Sequence, residues 1–141
     1  MLRSGQNDVY ARIWFDVTAH GATPTDLMTL QDDSGKKLAR IRLATDNRVQ
    51  LNVMVSPMST HTSTTKASLG AWHSVELHLT LNGAQGHAEA WLDGTAEPGL
   101  AVTASFGSNP ISQLLLGNTP TGRAITAYFD DVRIDTARVG P

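Results

Sequence analysis

The chain of 141 residues contains no cysteine, only 6% aromatic residues and no long apolar run. Without cysteine there is neither a disulfide framework nor a thiolate zinc site, although this places the chain in no particular compartment. The longest apolar run, Leu114-Leu115-Leu116, is far too short to span a bilayer, and Met1-Leu2-Arg3-Ser4-Gly5 lacks the apolar centre of a signal peptide. A soluble chain is expected, with any export signal outside it. Charge of one sign is scarce too. Eleven basic and 13 acidic residues give a formal charge of -2 with no basic cluster, so neither nucleic acid nor membrane is expected as a partner.

What the sequence does have is alternation. In Trp72–Gly94, Val75, Leu77, Leu79 and Leu81 occupy one parity and Ser74, Glu76, His78 and Thr80 the other, as a half-buried strand requires. Asn82-Gly83 and Asp93-Gly94 supply turn residues that tolerate positive φ. Strands are predicted at about 9–18, 26–31, 37–45, 48–55, 60–65, 72–81, 86–93, 99–106, 111–117 and 124–135, with no helix. Turn signals at His20-Gly21, Asp32-Asp33-Ser34-Gly35, Asp46-Asn47, Gly107 to Pro110 and Gly117 to Gly122 fit that spacing. The Ser/Thr-rich segment 56–68 reads as a loop leading into a short edge strand. Ten short strands at this interval imply an all-β sandwich or barrel, in a single domain over 1–141.

The polar rows carry any function. Tyr10, Arg12, Trp14 and Asp16 oppose the apolar series Val9 to Val17; Arg40 and Arg42 oppose Ile41; Gln50 and Asn52 oppose Leu51; Glu89 and Trp91 oppose Ala90. These rows are too polar for a core and rich in large aromatics.

Trp72-His73-Ser74-Val75-Glu76-Leu77, Trp91-Leu92-Asp93-Gly94, Leu116-Gly117 and Tyr128-Phe129-Asp130-Asp131-Val132-Arg133-Ile134-Asp135 together resemble the concanavalin A-like lectin/glucanase superfamily. The likeness is to its laminin-G-like jelly-roll modules in secreted bacterial proteins of the actinobacterial type, and it extends from Asp8 onward. It implies a two-sheet antiparallel jelly-roll β-sandwich, an extracellular setting and a choice among sugar binding, hydrolysis, lysis and adhesion. Members carry a strand or two before the one matched by Val9–Thr18, so an N-terminally reduced sandwich with an uncovered sheet edge is expected, and with it a homodimer. The resemblance places Trp72 as structural packing at the core edge and suggests a structural calcium near the last strand, with Asp131 as its carboxylate. Two adjacent strand aspartates should point to opposite faces, so only one of Asp130 and Asp131 can face an ion. Asp32-Asp33-Ser34-Gly35 reads as a hairpin turn and not a calcium loop.

Catalysis is not expected. Glu89 and Asp93 lie four residues apart, roughly 13 Å along an extended strand, whereas retaining glycosidases hold their carboxylates about 5 Å apart. Glu76 can approach Glu89, but the pair reads first as solvated carboxylates. A lyase would draw on Arg40, Arg42, Gln50, Asn52, His78 and Tyr128, yet the family's glutamine-histidine spacing is missing, as are the serine elbow, HExxH, the phosphate loop and the dinucleotide fingerprint. The expected role is polysaccharide binding by an accessory module without cofactor. Trp14 and Trp91 are the stacking platforms, and Arg12, Arg40, Asn52, Glu76, His78 and Glu89 the polar partners, provided that their strands share a sheet. Each tryptophan equally fits a structural anchor. A structural or adhesive module is the alternative, and a lyase or hydrolase the third.

Overall fold

Alternating apolar residues commit each strand to burying one face, and in the computed structural model two antiparallel sheets bury those faces against each other. Residues 5–117 and 124–141 are described. In chain order the strands are β1 (Asp8–Ala19), β2 (Thr25–Asp32), β3 (Lys37–Leu43), β4 (Arg48–Val53), β5 (Ser59–Lys66), β6 (His73–Thr80), β7 (Gly86–Leu92), β8 (Thr95–Ala96), β9 (Val102–Ala104), β10 (Ile111–Leu116) and β11 (Thr126–Asp135). One sheet has the order β11-β1-β6-β7-β8, with β9 also on β7; the other is β10-β2-β3-β4-β5. The result is the two-sheet antiparallel jelly-roll sandwich. Val9, Ala11, Ile13, Phe15, Val75, Leu77, Leu79, Ala88 and Ala90 face Leu30, Ile41, Leu43, Val49 and Leu51 in a core whose members are almost wholly buried. This burial is the main stabilising term.

The turns follow their residues. Leu92 pairs with Thr95 across Asp93 (φ 51°) and Gly94 (φ 78°), a two-residue connection with both φ values positive, as strand twist favours in a tight hairpin. At the β2–β3 turn the Asp32 carboxylate accepts the Ser34 and Lys36 amides, each at 2.9 Å, and the Ser34 hydroxyl at 2.6 Å. All three bonds converge on Oδ1, which the turn thus occupies. The turn expected over Gly117 to Gly122 lies, beyond Gly117, outside the described residues.

Three expectations are corrected. The segment 99–106 is not one strand: Pro98–Leu100 forms a 3₁₀ turn and only Val102–Ala104 joins a sheet. The reason is Glu97. Its buried carboxylate accepts the Thr64 amide at 3.0 Å and the Thr64 hydroxyl at 3.1 Å, where a register shift in β5 leaves amides without a ladder partner. That clamp draws Gly99 against β5 so closely that a Cβ there would stand 2.5 Å from the Thr62 carbonyl. Second, segment 56–68 forms an edge strand over eight residues, Ser59–Lys66, longer than expected. Third, the strand starting near Val9 is no edge, since β1 is hydrogen-bonded to β6 on one side and β11 on the other.

Burial pushes the Glu97 carboxyl up, but hydrogen bonds from Thr65 and Thr64 outweigh it and leave its pKa below the usual range. Asp32 behaves likewise: burial raises it, while the Ser34 hydroxyl and the Lys36 and Ser34 amides bring it below. Both groups therefore stabilise the fold above the ordinary carboxylate pKa, about 4, and that contribution is lost as pH falls through their lower folded values. Glu97→Gln should lower the urea midpoint at neutral pH and flatten the acid decline. An unchanged slope below about pH 4 in the variant would count against this account.

Candidate functional site

The two outer faces differ in chemistry. On the five-stranded sheet, register places Arg40 beside Asn52 and Thr29, Arg42 beside Gln50 and Asp26, and Asn52 beside Thr60. Asp26 holds both guanidiniums, Arg40 Nη1 at 3.3 Å from Oδ2 and Arg42 Nε at 3.7 Å from Oδ1. Arg40 Nε and Nη2 each donate to Asn52 Oδ1 at 3.4 Å, and Asn52 Nδ2 donates to Thr60 Oγ1 at 2.7 Å. Asn52 and Asp26 are buried although they lie on the outer face, so the arginines are positioned by a dry polar layer beneath them. A cleft of about 310 Å³ opens here, lined by Arg40, Arg42, Asn52 and Thr60 with Met54 and Met58. Two guanidiniums against one carboxylate leave it net cationic.

The six-stranded sheet brings together the other predicted residues. Its rows read Asp135-Tyr10-His78-Glu89, then Arg133-Arg12-Glu76-Trp91, then Asp130-Trp14-Ser74. Tyr10 stacks on His78 with ring centroids 3.9 Å apart and planes 7° apart. His78 Nδ1 lies 3.0 Å from Glu89 Oε1, and Nε2 2.8 Å from Asp8 Oδ1. Burial, followed by the negative charges of Asp8, Glu89 and Glu76, pushes the Tyr10 phenol above its ordinary pKa, against a smaller lowering by Arg138.

Over this face runs the C-terminal tail. Glu76, 3% exposed, accepts the Val139 amide at 2.6 Å and the Gly140 amide at 3.1 Å. Arg12 Nη1 donates to the Gly140 carbonyl at 3.1 Å, the Arg138 guanidinium sits 4.8 Å above the Trp91 ring, and Pro141 packs on Gly94. Glu76 and Glu89 are therefore not a solvated pair: one binds the tail and the other His78. Trp91 carries a cation of its own chain on its face.

Arg40 and Asn52 are on the sheet opposite Trp14, Trp91, Arg12, Glu76, His78 and Glu89, so the eight residues form two groups that no single small ligand can touch. Arg40, Arg42, Gln50 and Asn52 do share one face, but His78 and Tyr128 lie on the other sheet. No histidine or tyrosine lines the arginine cleft among the described residues; His61 meets it only through Ser59 Oγ, 2.9 Å away.

Two further expectations, on the aromatic and acidic residues, are corrected. Trp72 is 48% exposed, not packed at the core edge. Asp93 fixes the start of β6, since its Oδ1 accepts the Ser74 amide and its Oδ2 lies 2.8 Å from His73 Nδ1; Trp72 projects just before that anchor. Asp130 and Asp131 do not diverge. A β-bulge sets Asp131 and Val132 opposite Ile13 alone, with Asp131 at φ 42°, and the extra residue brings both aspartates to the tryptophan side. Asp131 Oδ2 receives Arg12 Nη2 at 2.5 Å. A calcium ion there would meet a guanidinium on its own ligand, and among the described residues no three His, Cys, Asp or Glu side chains cluster to hold a metal. The donors do not fit calcium.

Comparison with solved structures agrees on architecture. The chain is similar to the cellulose-induced protein Cip1, with 22% identity, TM-score 0.73, and 100% of this chain and 72% of that one covered. It is similar also to an endo-β-1,4-glucuronan lyase from the fungus Trichoderma reesei, with 13% identity, TM-score 0.65 and coverage of 95% and 71%. A carbohydrate-binding module from Bacillus subtilis matches with 14% identity, TM-score 0.61 and coverage of 94% and 78%. The shared property is the fold. No family model and no curated protein matches the chain.

Sequence reasoning missed the tail because its buried anchor on Glu76 is a pair of backbone amides, which every residue has, and its side-chain contact, Arg138 on Trp91, joins residues far apart in the chain. Glu76→Ala should release it. The Val139 and Gly140 amides should then exchange with solvent at least tenfold faster, with a stability cost of about 1–3 kcal/mol for the lost buried bonds. Unchanged exchange at those amides would show that Glu76 does not hold the tail.

Proposed function

We propose that the chain is a non-catalytic carbohydrate-binding module that acts outside the cell as an accessory part of a larger polysaccharide-directed protein. Its principal site is the arginine cleft of the five-stranded sheet. The observation that carries this reading is the pair Arg40 and Arg42, held at the cleft by Asp26 and Asn52. Each guanidinium has five N–H donors in a planar fork suited to carboxylates, a geometry that matches sugar hydroxyls and the carboxylate of an acidic sugar. Met54 and Met58 add adaptable apolar contact. The similar fold of a carbohydrate-binding module and of a glucuronan lyase supports the ligand class.

Among the described residues no histidine or tyrosine lines the cleft directly, and His61 reaches it through Ser59; β-elimination needs a group to move the proton, so this lining favours binding. An adhesive or self-associating module is the second reading. It is favoured by β11, which ends its sheet with Tyr128 and Val132 exposed, an edge on which a second copy can pair.

Affinity electrophoresis through polygalacturonate, alginate and neutral glucans tests the first reading. Retardation by an acidic polymer should weaken at least tenfold in Arg40→Gln and Arg42→Gln, with thermal midpoints confirming that both fold. No retardation by any polymer would sink the binding reading, and release of unsaturated uronate would replace it with a lyase. A dimer in sedimentation velocity without glycan binding would favour self-association.

A further inference from the structure

The six-stranded sheet has an opening of its own, away from the tail. A cavity of about 400 Å³ is lined by Trp14, Trp72, Asp130 and Asp131. In a chain with three tryptophans, one that is half-exposed beside a second on the same face is an expensive surface to leave in water. Nor is it an accident of a frayed end. Asp93 anchors the backbone next to Trp72, and the bulge at Asp131 turns two carboxylates toward the indoles.

Charge narrows the occupant. Arg12 is committed inward, to the Gly140 and Asp131 carbonyls and the Asp131 carboxylate, so its cation neutralises Asp131. Asp130 adds a carboxylate of which one oxygen accepts the Asp131 amide. Among the described residues the pocket therefore offers aromatic faces and carboxylate acceptors and no donor cation besides the committed Arg12, the inverse of the arginine cleft.

We propose that the Trp14–Trp72 pocket is a second glycan site, which takes an uncharged pyranose. The indoles stack on the C–H face of the ring, and Asp130 accepts its hydroxyls. Uronates are excluded by like charge. The two sites lie on opposite sheets, so one chain can join a neutral polysaccharide to an acidic one, and each attachment raises the effective concentration for the other. This site goes beyond the arginine-cleft reading and stands without it.

Tryptophan fluorescence and titration calorimetry with cellohexaose, xylohexaose, mannohexaose and hexagalacturonate test it. At least one neutral hexasaccharide should shift the emission. Binding should weaken tenfold or more in Trp72→Ala, whose exposed side chain can be removed without opening the core, and severalfold in Asp130→Ala. Arg42→Gln should leave it unchanged. The proposal is overturned if no neutral hexasaccharide binds, if Trp72→Ala binds as well as the parent, or if hexagalacturonate competes for the site. Loss of acidic-sugar binding in Arg42→Gln with no response to neutral sugars would keep the arginine cleft and remove this pocket.

Discussion

Two sheets that must bury one face each against the other leave the chain two outer faces and no third place for polar groups. Core positions on β1, β6 and β7 are taken by Ile13, Phe15, Leu77, Leu79 and Ala90, so Arg12, Trp14, Glu76, His78 and Trp91 have no choice of side. The same holds for Arg40, Arg42 and Asn52 across β3 and β4. Everything chemical about the molecule follows from which strands the jelly roll puts next to each other, because neighbours across a ladder decide which of these side chains meet.

The outcome is a separation by charge and by state of engagement. On the five-stranded sheet the cations outnumber the anions and stand at an open cleft. On the six-stranded sheet most polar groups are already paired: His78 with Glu89 and Asp8, Arg12 with Asp131, and Glu76 with the tail. An inward-turned network of this kind fixes geometry. Trp14 and Trp72 stand apart from this network at one end of the face, beside Asp130 and Asp131.

Strand positions were legible because period-two alternation and Gly/Asn/Asp turns are local properties, and β6 and β7 fell within a residue or two of their expected limits. Residues 99–106 misled for a tertiary reason. Leu100, Val102, Ala104 and Phe106 alternate perfectly well, but a carboxylate three residues before Leu100 is needed at the β5 bulge, and the chain curls to deliver it. The candidate site was legible as a set of side chains and not as a place. Nothing local told that Arg40 and Trp14 belong to different sheets, or that Asp131 lies at a bulge, because both depend on long-range pairing.

That bulge has a consequence for how this sequence can change. Before it, the even-numbered Tyr128 and Asp130 face outward; after it, the odd-numbered Arg133 and Asp135 do, while Ile134 packs on the core. It is a change of phase in the reading frame of the strand. Loss of a single residue at 131 or 132 would straighten β11 while Asp130 and Arg133 kept their partners Trp14 and Arg12 and Ile134 stayed on the core side, whereas loss of one residue within the regular part of the strand would turn every side chain beyond it to the other face. Substitutions along this edge are a matter of individual side chains, but a change of one residue in its length is absorbed most readily at the bulge, where one residue is already extra to the ladder.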